Sequence, residues 1–158
     1  MDTRPDDVEH PLMIIACDIG GVIKDQVSGH PIPGAIDGLK SLIALGHQVV
    51  LISKCKANFM SISDAWIEQH LKAANIDVNV YYCTDYAQKA EIASKHGVGA
   101  IIDDKMQVLQ AFPSSTKKLW FCSKKENIDG AKKHQPEFFS SVDVVKSWSE
   151  VVAYFKIK

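Results

Sequence analysis

Three short apolar runs along the chain end in a reactive side chain, and a lysine opens the helix that leads into the third. Asp18 follows the run 12–17 and precedes Gly20 and Gly21 in the segment IIACDIGGVI. A carboxylate on so tight a turn is an exposed nucleophile or metal ligand, and the glycines let the backbone approach a ligand closely. Ser53 closes the run QVVLIS with Lys54 beside it, so a hydroxyl and an ammonium stand together where an anion can bind. Asp103 and Asp104 close GAII. Adjacent carboxylates repel, and both stay ionised only beside a compensating cation or water. Hard oxygen ligands of this kind suit Mg²⁺, which takes one or two protein carboxylates and keeps several waters. Lys89, fourteen residues before Asp103, brings a positive charge toward the same edge.

The elements that must position these residues follow from periodicity. Runs 12–17, 48–53, 78–82, 99–102 and 118–122 read as strands, continuous in apolar character as befits burial on both faces. Segments 35–45, 63–74 and 87–96 carry apolar residues at helical spacing, and Gly46 and Gly97 are stop signals. A short helix is expected over 105–111, a long polar loop over 123–141 and a closing amphipathic helix over 144–155. Alternating strands and helices with short connections imply a parallel, doubly wound sheet. The expected fold is a Rossmann-like α/β/α domain of five strands spanning 11–158, preceded by a flexible leader over 1–10. Ligands of such sheets bind at the carboxyl ends of the strands, where all four reactive positions fall.

Composition narrows the function classes. The 158 residues are 46% hydrophobic and carry a net charge of -1, which excludes a disordered chain and gives no strong nucleic-acid signal. No apolar run approaches the ~18 residues of a membrane span, and no signal-peptide core is present, so a cytoplasmic, membrane-free protein is expected. Of 18 basic residues only Arg4 is an arginine, so an anion site in the body must use Lys, backbone N–H groups or a metal. Lys24, Lys54, Lys56, Lys105, Lys124 and Lys125 are expected to form a positive collar round the strand ends. The four cysteines lack C-x-x-C spacing and read as small buried hydrophobes, and the three tryptophans as core.

Taken together, the reactive positions resemble the haloacid dehalogenase superfamily of phosphohydrolases. DIGGVI at 18–23 is similar to its first motif, VVLIS ending in Ser53 to its second, and AIIDD to its fourth, with Lys89 as the lysine upstream. The resemblance covers roughly 13–122 with the motifs in order. It implies a strand order of 5-4-1-2-3 and an aspartyl-phosphate mechanism with Asp18 as nucleophile. Ser53 and Lys89 would hold the phosphoryl oxygens, with Gly21 and Lys54 completing the substrate site. Mg²⁺ would bridge Asp18, the Gly20 carbonyl and Asp103 or Asp104. The substrate would be a phosphorylated small molecule, nucleotide or macromolecule.

One departure from the family pattern has chemical weight. Most of its phosphatases place a second Asp two residues after the nucleophile, where this chain has Gly20. That residue protonates the leaving group and activates water, help worth ~10²–10⁴-fold. Its absence implies a slow enzyme, a substrate with a good leaving group, or a phosphate-binding or protein-interaction module without turnover. Asp25 and His30 are the alternative acid–base groups in the following loop. Only 34 residues separate Asp18 from Ser53 and 35 separate Ser53 from Lys89, which implies no cap domain. The site would then be open unless a second copy or a bulky substrate covers it. A phospho-receiver domain combines similar residues but carries its acidic pair after the first strand, and it ranks last.

Overall fold

The computed structural model describes residues 11–156, so the leader expected over 1–10 lies outside the described residues. Its strands are β1 (Ile14–Cys17), β2 (Gln48–Lys54), β3 (Asn79–Cys83), β4 (Val98–Asp103), β5 (Lys117–Phe121) and β6 (Asp143–Val145). Its helices are α1 (Ala35–Ala44), α2 (Met60–His70), α3 (Tyr86–Lys95), α4 (Met106–Gln110), α5 (Lys125–His134), α6 (Pro136–Ser141) and α7 (Trp148–Lys156). The strands form one parallel sheet in the order β3-β2-β1-β4-β5-β6.

Burial on both faces explains the continuous apolar runs. Ile15 and Cys17 of β1 join Val49, Leu51, Ala100 and Ile102 in one cluster with α1, α2 and α7. Ala16, Val50, Ile52 and Ile101 face the other way, toward α3, α4, α5 and α6. Helices thus cover both faces of the sheet, as the sequence predicts.

Three expectations need correction. The sheet has six strands rather than five, because β6 pairs with β5 from Leu119↔Asp143 to Phe121↔Val145. The closing helix accordingly begins at Trp148 rather than at 144. Ser147 marks that boundary: its Oγ accepts from the Glu150 N–H at 3.3 Å, and Glu150 accepts from the Lys146 N–H at 3.1 Å. Ser147 thus caps a backbone N–H left free by the first helical turn, and Glu150 ties down the chain just ahead of the cap. The polar loop expected over 123–141 contains α5 and α6. Ala131 is the single buried residue of α5, so no apolar stripe betrays that helix.

Register fixes the site. Cys17 lies opposite Leu51 on one side and Ile102 on the other, so Asp18 emerges at the same level as the ends of β2 and β4. The Asp18 N–H donates to the Ile102 carbonyl at 3.1 Å. The order reverses direction at β1 and β4, which is the switch point where open α/β sheets bind ligands.

Candidate active site

Asp18, Ser53, Lys89 and Asp103 are all buried at the carboxyl edge of the sheet. Lys89 lies in the first turn of α3, whose N-cap Asp85 accepts from the Gln88 N–H at 2.8 Å. From there its ammonium reaches Asp18 Oδ1 at 3.1 Å and Asp103 Oδ2 at 2.8 Å. The Lys89 side chain is only 1% exposed, so removing this lysine leaves two buried carboxylates without their shared cation. Burial alone lowers the affinity of Lys89 for its proton, but Asp18 and Asp103 outweigh that and hold its pKa above the ordinary lysine value.

The three carboxylates feel the opposite balance. Burial pushes Asp18, Asp103 and Asp104 above the usual carboxylate range, against the pull of Lys89 on the first two and Lys105 on the third. One oxygen from each lies within 4.8 Å of the others. Both Asp103 oxygens already have donors, Lys89 Nζ and the Lys105 N–H at 3.0 Å. Asp104 Oδ1 is buried with no hydrogen-bond partner among the described residues. A hard divalent cation fits this cluster. It would supply the charge that one buried lysine cannot, and Asp104 Oδ1 is free to serve as one of its ligands.

Gly21 seats that carboxylate. Its φ is +83°, and a Cβ there would collide with Asp104, whose Cγ would lie 2.7 Å away. Gly21 therefore backs the acidic cluster and is not on the wall of the cleft. Gly20 is on that wall and has no positive φ. A Cβ on Gly20 would instead meet Gln26, colliding with its amide nitrogen and lying 3.2 Å from its Cδ.

Gln26 belongs to a small flap. The chain folds back from Lys24 to Pro31, with Asp25 N–H donating to the His30 carbonyl at 2.8 Å. Asp25 is engaged inside the flap, where Oδ1 accepts from the Val27 and Ser28 N–H groups, both at 2.9 Å. Those bonds hold its carboxyl below the ordinary aspartate range. Neither Asp25 nor His30 lines the cleft, so neither stands where the missing acid–base group is needed.

The cleft has a volume of about 730 Å³. Besides Asp18, Gly20, Ser53, Lys54 and Lys89, its wall includes Gln26, Phe59, Ser63, Thr84 and Tyr86, which sequence reasoning did not single out. Of the lysine collar, Lys24, Lys54, Lys56 and Lys105 line the cleft, whereas Lys124 and Lys125 do not. Lys125 pairs with Asp129 along α5 at 3.1 Å. All four cysteines are free, and burial, aided by Asp18 and Asp103, raises the Cys17 thiol well above its ordinary range.

The three tryptophans are buried, as expected, and each also tethers a loop of the site. Trp148 Nε1 donates to the Val22 carbonyl at 2.8 Å, behind the Asp18 turn. Trp120 Nε1 donates to the Asp104 carbonyl at 3.1 Å, and Trp66 Nε1 to the Gly29 carbonyl of the flap at 2.7 Å. A buried indole N–H needs an acceptor. Apolar spacing places the ring in the core but does not identify its acceptor.

No protein-family model and no curated sequence matches the chain. Solved structures do. A D,D-heptose 1,7-bisphosphate phosphatase from B. bronchiseptica, complexed with magnesium and phosphate, matches at a TM-score of 0.70 and 15% identity, covering 90% of this chain and 97% of that one. The cobalt-bound deoxy-D-mannose-octulosonate 8-phosphate phosphatase of Haemophilus influenzae matches at 0.54 and 13%, covering 91% and 86%. A putative haloacid dehalogenase-like hydrolase from Burkholderia xenovorans matches at 0.54 and 15%, covering 84% and 61%. Among the described residues no helix is long and apolar enough to cross a membrane. The chain thus shares with these structures a three-layer α/β fold built on one parallel sheet.

Proposed function

We propose that the protein is a Mg²⁺-dependent phosphomonoesterase working through phosphorylation of Asp18. One observation carries the reading: Lys89 bridges Asp18 and Asp103 at the sheet edge while the neighbouring Asp104 keeps a buried oxygen unpartnered. Asp18, Asp104 and the Gly20 carbonyl would hold the cation, which when bound supplies positive charge to the phosphoryl oxygens. Asp103 then acts as a positioning residue for Lys89. The magnesium and phosphate in the heptose bisphosphate phosphatase support the choice of metal and ligand.

In this scheme an Asp18 oxygen attacks phosphorus, and the ester P–O bond breaks with its electron pair on the departing oxygen. Lys89 and the Ser53 hydroxyl hold the phosphoryl oxygens as charge builds, the electrostatic help on which phosphoryl transfer chiefly depends. Water next attacks phosphorus and releases its proton to solvent, the bond to Asp18 breaks with its electron pair returning to the carboxylate, and phosphate leaves. With glycine at position 20, the departing oxygen takes its proton from solvent. The segments joining β1 to β2 and β2 to β3 hold only the flap, α1, α2 and short turns, which supports an open, capless site.

A second reading, a phosphate-binding module without turnover, is favoured by the neutral Gln26 amide lying where an acid–base carboxylate would begin. Hydrolysis of p-nitrophenyl phosphate separates the two. The enzyme reading expects turnover that is lost on chelation and in Asp18→Asn. Equal activity in wild type and Asp18→Asn removes the role of Asp18. Mg²⁺-dependent phosphate binding without hydrolysis favours the module.

A further inference from the structure

The turn that carries Asp18 and the flap that follows it are locked together. The Gly21 N–H donates to the Lys24 carbonyl at 2.9 Å, and the Lys24 N–H to the Ile19 carbonyl at 2.9 Å. Asp25 closes the flap tip through the Val27 and Ser28 N–H groups, and Trp66 Nε1 holds the far end at the Gly29 carbonyl. The backbone is therefore fixed on both sides of Gln26, whose side chain is exposed. That side chain folds back onto Gly20, two residues from Asp18 and on the same cleft wall. Among the described residues the Gln26 amide has no hydrogen-bond partner.

A polar group in that place serves one step of the reaction. Once Asp18 holds the phosphoryl group, water must attack phosphorus in line, from the side that the leaving oxygen vacated. Such a water is aimed by a group that accepts one of its protons in a hydrogen bond and leaves a lone pair toward phosphorus. The five lysines on the wall cannot accept. Ser53 is taken by the phosphoryl oxygens. Thr84 follows β3, two strands across from β1 and roughly 9–10 Å away at ~4.8 Å per strand, and its hydroxyl is bonded to Gln88 at 2.9 Å. Tyr86 lies on the same far side, under the Lys54 ammonium at 4.9 Å. Gln26 is the one side-chain amide on the wall, and it stands beside the Asp18 turn. A half-turn of that amide exchanges its nitrogen and its oxygen, so the accepting end can face the water. A glutamine amide aims the attacking water in other phosphoryl-transfer sites.

We propose that Gln26 orients the water that hydrolyses phosphorylated Asp18; the inference rests on the phosphatase reading of Asp18. The amide oxygen accepts a hydrogen bond from the water. The water oxygen bonds to phosphorus, the bond from phosphorus to the Asp18 oxygen breaks with its electron pair returning to the carboxylate, and the surplus proton passes to solvent. Gln26 takes no proton. It therefore speeds the second half of the cycle and leaves the first, in which Asp18 attacks the ester, largely to Lys89 and Ser53.

Rapid acid quench with enzyme in excess over p-nitrophenyl phosphate, in Mg²⁺, resolves the two halves as formation and decay of phosphorylated chain. Gln26→Ala should slow decay about tenfold while changing formation far less, so that phosphorylated chain accumulates. Gln26→Glu keeps an accepting oxygen at the same reach and should decay at least as fast as wild type. Unchanged decay in Gln26→Ala overturns the inference. Formation and decay slowed alike reduce Gln26 to a part of the flap's shape and overturn it as well. Decay in Gln26→Glu as slow as in Gln26→Ala overturns the assignment to an accepting oxygen. An adduct on Asp18 whose decay is indifferent to Gln26 sinks this inference alone, whereas no adduct in wild type and Gln26→Ala alike sinks the phosphatase reading and this inference with it.

Discussion

The side-chain amide of Gln26 occupies the space that a Cβ on Gly20 would fill, so a flap residue six positions on blocks the place where the resemblance to phosphohydrolases expects an acid–base carboxylate. An amide can donate a hydrogen bond but cannot transfer a proton at ordinary pH. Poor leaving groups should therefore suffer most. Aryl or acyl phosphates are expected to react faster than alkyl phosphates by about 10²-fold or more. Gly20→Asp should raise alkyl phosphate turnover, since the backbone there has no positive φ. Gln26→Ala added to it should raise turnover further, because the exposed Gln26 side chain must otherwise move aside. Steady-state rates on paired alkyl and aryl esters measure this; equal rates in wild type contradict it.

Lys89 is the only ammonium shared by two buried carboxylates among the described residues. Lys89→Met keeps the length of the side chain and removes the charge. Breaking a buried ion pair this way typically destabilises by about 3–5 kcal/mol. Mg²⁺ should recover more stability in the variant than in wild type, because it then compensates carboxylates that have no other partner. Thermal unfolding with and without Mg²⁺ measures both effects. A variant as stable as wild type in chelator contradicts the burial argument.

Trp120→Phe retains an aromatic ring against Phe138 but loses the bond to the Asp104 carbonyl. The stability loss should be near ~1 kcal/mol. Mg²⁺ affinity should fall more noticeably, since the tether fixes the residue with the free carboxylate oxygen. Metal titration beside thermal unfolding distinguishes this from a purely structural role, which would lower stability and leave the metal affinity unchanged.

Much of this arrangement is legible in the sequence, and the rest is hidden for physical reasons. Asp18, Ser53 and the Asp103–Asp104 pair end continuous apolar runs, and parallel register brings those ends to one level. Gln26 carries no such mark, because only the fold-back of the flap between Lys24 and Pro31 delivers it to Gly20. The third residue pair of β6 runs into apolar spacing that also fits a helix, so 144–155 reads as one element; Ser147 and Glu150 are the signal that divides it. Apolar periodicity finds the three tryptophans but is silent on the carbonyls they tether.

Tyr154 on α7 gives a pH-dependent test of the β6 correction. Burial first, and then Asp143 of β6, push its phenol up to about 12. The folded chain thus holds this proton more tightly than an unfolded chain with an ordinary phenol near ~10. Its contribution to stability is complete below about pH 10 and is lost as pH rises through about 12. Asp143→Asn should bring the phenol partway back toward its ordinary value, leaving the part due to burial. Ultraviolet titration of the phenolate reads this shift. A titration unchanged by Asp143→Asn contradicts the contact between β6 and α7.

The central claim is that Asp18 itself carries the phosphoryl group. Rapid acid quench of wild type during turnover of an aryl phosphate, followed by mass analysis of the chain and its peptides, tests it most directly. A phosphoryl adduct is expected on the peptide containing Asp18, formed only with Mg²⁺ and absent in Asp18→Asn. Sustained hydrolysis with no adduct at any time, or an adduct on another residue, would contradict it.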